Sequence, residues 1–193
     1  MKDARDGLLG GGNEGILKEL TKGPIYAKEK GGMLVVTPVM LANNILRRAF
    51  LARVDVTLVK LQKLLWYAYS EFFSRTDFSM LLFSEQFEAY PKGPVSVSVN
   101  NAFLHFDKKN ITNYARDPQE KVCIADEESL PLLRDVLDFV WDKYGLKSED
   151  DLVNLSHGKG GAWDQVWDET DWEKGNRSII TADHIKRGIE NDR

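Results

Sequence analysis

The stretch from Thr57 to Ser74 constrains this chain most. Leu58, Leu61, Leu64, Leu65, Ala68 and Phe72 recur at helical spacing, and the inner face they mark is wide and aromatic. A helix with so broad an apolar face must be buried against other elements, so a packed helical domain is expected. Thr57 is placed to cap its start, and the pattern ends before Asp77.

Similar punctuation recurs along the chain. Thr37 followed by Pro38 predicts a helix over 38–52, because threonine caps and proline suits the first helical position. After Pro94 a helix is expected through Val95, Val99, Ala102, Phe103 and Phe106. Ser129 is expected to cap another through Leu130, Leu133, Val136, Leu137, Val140, Trp141 and Tyr144, stopping at Gly145. Ser148 with Asp151 resembles a capping box for a short helix, Ala162 to Trp167 gives a turn or two, and Thr181 caps a last helix through Ile185 and Ile189. Leu81–Phe83 and Gln86–Tyr90 read as short extended pieces broken by Pro91 and by Gly93-Pro94. Ile25–Ala27 with Met33–Val36 reads as a weak hairpin. The expected class is mainly α, a single compact helical domain with a small β element, either a short hairpin or a three-stranded sheet.

A chain of 193 residues suits one domain. Glycine density over 1–32 predicts a flexible N-terminal extension before a helical domain over 33–193. Residues 107–128 are polar and read as a loop excursion, in which only Val122-Cys123-Ile124 has the character of a strand. The apolar runs are far shorter than the roughly 20 residues that span a bilayer, so no membrane contact is expected. The N-terminal segment lacks the apolar run of a secretory signal, and a single cysteine fits a reducing compartment, so a cytoplasmic location is expected.

Charge is divided along the chain. Residues 37–110 carry 9 Lys and Arg against 6 Asp and Glu, whereas 111–193 carry 11 against 19. The acidic second half is unsuited to gripping phosphates and suits a basic partner.

Candidate chemistry is sparse. Gly10, Gly12 and Gly15 match a dinucleotide fingerprint without the preceding strand that makes it work, and His157-Gly158-Lys159-Gly160-Gly161 lacks the order of a phosphate loop and reads as a flexible turn. Cys123, His105, His157 and His184 are too scattered for a metal site, and Ser156 beside His157 points about 100° away from it on a helix. Asp150 and Asp151, and Glu127 and Glu128, read as helix N-terminal acids rather than acid-base pairs. No catalytic residue, cofactor or metal is assigned. Trp141 and Trp163 are expected in the core. Trp167 and Trp172 either pin the C-terminal segment or serve as aromatic anchors for a partner, and Ile16, Leu17 and Leu20 form a small apolar face that would order on one.

Three blocks in this order resemble the Panacea antitoxin family, which includes SocA-type antitoxins and phage-associated GepA-like proteins. The first is Thr57-Leu58-Val59-Lys60-Leu61-Gln62-Lys63-Leu64-Leu65-Trp66-Tyr67-Ala68-Tyr69. The second is Phe87-Glu88-Ala89-Tyr90-Pro91-Lys92-Gly93-Pro94-Val95. The third is Val140-Trp141-Asp142-Lys143-Tyr144-Gly145 with Leu155-Ser156-His157 and Ala162-Trp163. The motif positions carried over are Leu61, Gln62, Lys63, Leu64, Tyr67, Glu88, Tyr90, Lys92, Gly93, Pro94, Trp141, His157 and Trp163. Tyr90 stands where the family often has tryptophan, and the excursion and the leader lie outside the pattern.

The resemblance implies a helical domain that neutralises a cognate toxin by binding it, in bacteria and their phages. A second reading is a proteolytic adaptor that delivers the toxin to a protease such as ClpXP. A third is a nucleic-acid-binding regulator using Arg47, Arg48, Arg53, Lys60 and Lys63, cations read in preference as a solvated helix face. Within the blocks, Glu88 is expected to pair with Lys63 or Lys92 and fix the turn between them.

Overall fold

A computed structural model describes residues 36–170 and 174–191. The expected leader with its hairpin strands before Val36, the glycines at 10, 12 and 15, and Ile16, Leu17, Leu20 and Trp172 all lie outside the described residues.

Helix α1 (Pro38–Ala52) starts where the Thr37-Pro38 pair places it, with the Thr37 hydroxyl accepting from the Met40 N–H at 3.2 Å. It ends at Arg53, whose φ of 56° turns the chain back. Helix α2 (Leu58–Arg75) is capped by Thr57 through the Lys60 N–H, also at 3.2 Å. Leu61, Leu64, Leu65 and Ala68 are wholly buried, because α2 is the axis of the molecule and other elements pack around it.

After α2 the chain forms strands β1 (Phe87–Tyr90) and β2 (Gly93–Val95), then helix α3 (Val97–Phe103) and a 3-10 turn over Leu104–Phe106. Helices α4 (Pro131–Tyr144), α5 (Glu149–Ser156) and α6 (Asp164–Trp167) follow, then strand β3 (Ile179–Ile180) and helix α7 (Ala182–Asn191). The sheet is antiparallel with order β2-β1-β3, its register set by Ala89 opposite Pro94 and Phe87 opposite Ile180. The described part is thus mostly helical, with seven α-helices and a small three-stranded sheet, the class expected from the sequence.

Several local expectations are corrected. Gly93-Pro94 does not break the extended region but forms β2 itself, at the sheet edge where a missing N–H removes no ladder bond. Leu81–Phe83 form no strand; Leu82 and Phe83 are buried without one. The third helix begins after Val95, because Ser96 caps it through the Val99 N–H, and it ends at Phe103. Ser129 caps nothing. The residue before a proline avoids helical geometry, so α4 starts at Pro131 and Ser129 is instead tied into a turn by Asp126.

The cations expected on a solvated face are divided. Arg47 and Arg53 are exposed, but Lys60 is 7% exposed and Lys63 is 0% exposed. Arg48 is held between Glu127 at 2.6 Å and Asp138 at 2.5 Å, so Glu127 serves as an ion-pair partner rather than a helix-end acid. Asp150 and Asp151 do occupy the first turn of α5, under the Ser148 cap.

Residues 107–128 contain no helix beyond the turn at their start and a single bridge, Arg116 with Val122, yet Ile111, Tyr114, Val122 and Ile124 are buried. Two amides from the inner face of α1 secure them. Asn43 donates to the carbonyls of Ala115 and Cys123 and accepts from the Ala115 N–H. Asn44 does the same for both backbone groups of Ala125 and also donates to Glu127.

Candidate functional site

Gln62 and Lys63 sit in the middle of a buried helix, where an amide or ammonium without partners is costly. Lys63 turns to the backbone of β2, and Gln62 to that of Ser96, the residue between β2 and α3. The Gln62 amide donates to the Ser96 carbonyl at 3.0 Å and accepts from the Ser96 N–H at 2.9 Å, and Lys63 Nζ donates to the Pro94 carbonyl at 2.6 Å. Pro94 on the edge strand, which lacks a strand partner on that side, and Ser96 just after it therefore find their partners on α2. Burial holds the Lys63 ammonium well below its ordinary value, the nearby charge of Lys92 pushes the same way, and Glu149 opposes both.

The approach is close at Gly93. Its φ is 95°, and a Cβ there would lie 2.7 Å from Lys63 Nζ and against the Ser156 hydroxyl. Glycine is the residue that fits both the conformation and the space.

The turn between β1 and β2 is anchored from α5 and from Trp163, the residue before α6. Lys92 donates to Glu149 at 2.9 Å, and Glu149 also accepts from the Thr57 hydroxyl, so one carboxylate links the hairpin turn to the start of α2. Burial works to raise the Glu149 carboxyl, but the hydrogen bonds from Thr57 and Lys92 and the charges of Lys92 and Lys63 outweigh it and hold it below the usual value. Trp163 donates its indole N–H to the Tyr90 carbonyl at 2.9 Å. Its ring lies between His157, centroids 3.8 Å apart, and Trp167, 4.6 Å apart. Burial, with the charge of Lys63, lowers the His157 pKa, and its Nε2 has no hydrogen-bond partner among the described residues.

Eight of the motif residues thus meet around one hairpin: Gln62, Lys63, Tyr90, Lys92, Gly93, Pro94, His157 and Trp163. Leu61 and Leu64 are core. Tyr67 lies one turn further along α2, stacking on Tyr144 at 4.4 Å and donating to the Leu152 carbonyl at 3.0 Å. Glu88 and Trp141 stand apart. Glu88 lies on β1 opposite Val95, and the partners expected for it are taken, Lys63 by Pro94 and Lys92 by Glu149. Trp141 is half-buried and packs against Gly145, where a Cβ would fall 2.8 Å from its ring. Glu149 and Ser96 were not singled out from sequence. A serine between Val95 and Val97 and an acid just after Ser148 are the signals that mark them.

Chemically, this constellation fastens structure together. The Ser156 hydroxyl donates to the Val153 carbonyl, and burial pushes the Cys123 thiol up, away from the thiolate form a nucleophile needs. Among the described residues no group of three His, Cys, Asp or Glu side chains is disposed to hold a metal, and no helix is long and apolar enough to cross a membrane.

Comparison with known proteins agrees with this map. The family model described as antitoxin SocA-like, Panacea domain, matches residues 61–164, a span running from α2 through the hairpin to the first residue of α6. Comparison with curated proteins and with solved structures gave no match. A family match over more than half of the chain, containing the hairpin and the residues of α2 and α5, and Trp163, that bond to it, places the protein: it belongs to the antitoxin SocA-like, Panacea-domain family.

Proposed function

We propose that the protein is a cytoplasmic antitoxin that neutralises its cognate toxin by direct protein contact, with no catalytic step of its own. The observation that carries this reading is the use to which the motif is put. Lys63, Gln62, Lys92 and Trp163 each donate to a group of the protein's own fold, so the signature residues build a rigid scaffold and leave recognition to the surface around it. The family's description as antitoxins implies a toxin as partner in general terms. Trp167, half-buried at the end of the aromatic stack, and Trp172, Ile16, Leu17 and Leu20 are candidate contacts.

The test is co-expression with the product of the neighbouring reading frame, in strains with and without ClpXP. The expected result is rescue of growth in both strains and a complex that co-purifies. Rescue that disappears without the protease would replace neutralisation by binding with delivery for degradation.

A further inference from the structure

His157 closes α5, its backbone N–H bonded to the carbonyls of Val153 and Asn154 and its ring laid on Trp163 with the two planes 13° apart. In so nearly parallel a stack the imidazole nitrogens lie at the ring edge and point past the indole rather than into its face. Nε2 is buried there without a partner among the described residues. The proton of the neutral ring therefore belongs on Nδ1, since an Nε2–H would find no acceptor. A second proton has to go to Nε2, where it makes a buried donor with nothing to receive it, the costly case for a polar group. The indole face attracts an imidazolium, but that attraction does not replace an acceptor at the ring edge.

The charges around the ring come from two elements. Lys63 on α2 disfavours an imidazolium, and Asp164 in the first turn of α6 favours it while also accepting the Gly160 N–H at 2.8 Å. Lys92 on the hairpin is engaged by Glu149. Trp163 connects His157 to the hairpin, because the indole that donates to the Tyr90 carbonyl is held between His157 on one side and Trp167 on the other.

We propose that the His157–Trp163 stack is an acid-sensitive catch on the hairpin: a proton taken up at His157 Nε2 parts the two rings and loosens the hold of Trp163 on the turn that follows Tyr90. This goes beyond the antitoxin reading and stands without it, since the hairpin itself is the readout. Burial and Lys63 together outweigh Asp164 and keep the closed ring below its ordinary 6.5, the value it regains when the catch opens. The closed form is thus at full strength above that value and weakens as pH falls through 6.5 toward the lowered one.

Nuclear magnetic resonance of the full chain provides the test. The His157 ring is expected to titrate below 6.5. Protection of the Trp163 indole N–H against exchange, referred to the intrinsic rate at each pH, should fall between about pH 7.5 and about pH 5 by about tenfold for each unit of that difference. The Leu64 amide in α2 should keep its protection. His157→Phe, which has a flat ring and binds no proton, should hold the indole protection constant across the range. Titration of His157 at or above 6.5 would overturn the catch, as would an indole protection that does not change in wild type. A loss shared equally by Leu64 would be global unfolding, and an equal loss in His157→Phe would place the proton elsewhere; either contradicts the proposal. Should His157→Phe fail to fold, the wild-type titration and its two protections decide alone.

Discussion

Lys63 carries the most unusual chemistry of any single side chain here, an amine with no exposure donating to one carbonyl. Because burial lowers its pKa in the folded state, the folded protein binds fewer protons on this amine than the unfolded chain does in the interval between that lowered value and the ordinary 10.5. Stability contributed through this residue therefore rises as pH rises across the interval. Replacing it by Lys63→Met removes the titration and keeps the length of the side chain. Urea denaturation from about pH 7 to about pH 10 should show the stability difference moving in favour of wild type as pH increases. A difference that stays flat would mean the amine is not buried in this way. Gly93 gives a second residue-scale prediction. Gly93→Ala forces a side chain into a positive φ and against Lys63 and Ser156, and should cost about 3 kcal/mol in the same assay. Both residues were visible in sequence as parts of a resemblance, but their contact was not. Nothing in the spacing of Lys63 and Pro94 says that a helix lysine will satisfy an edge-strand carbonyl 31 positions away.

At the scale of elements, three helices were legible because capping is local, Thr37, Thr57 and Ser148 each bonding an N–H three residues on, whereas the Ser96 cap of α3 was hidden behind Gly93-Pro94. Elements defined by long-range partners were not. Gly93-Pro94 reads locally as a breaker and becomes a strand only because β1 and α2 sit on either side. The segment 107–128 reads as an excursion by composition, yet it is held by Asn43 and Asn44. Two amides interrupting an apolar stripe, between Leu41-Ala42 and Ile45-Leu46, were the available signal that something polar would be met inside. Asn43→Ala would leave the Ala115 N–H and carbonyl and the Cys123 carbonyl without those bonds, at a cost of about 2 to 4 kcal/mol. Hydrogen exchange should show faster exchange at Ala115 than in α2. Equal protection of Ala115 in variant and wild type would show the amide to be dispensable. Leu64→Ala, wholly buried in α2, should cost about 2 to 5 kcal/mol. Trp141→Ala should cost less, because its side chain packs against the core while only half-buried.

For the whole molecule, the class was legible from the breadth of the apolar face on α2, since a helix of that kind has to be surrounded. The convergence of three sequence blocks on one hairpin was not, because the blocks are separated by segments whose path only the fold determines. What the assembled scaffold offers is a hairpin fastened from within by Gln62, Lys63, Lys92 and Trp163 and a surface beside it, and the proposed neutralisation acts through that surface by contact alone. The direct measurement is toxin activity in a mixture of the two purified proteins, without protease or nucleotide. Toxin activity should fall in proportion to added protein and be abolished at a fixed molar ratio. Undiminished toxin activity at an excess of the protein would contradict it.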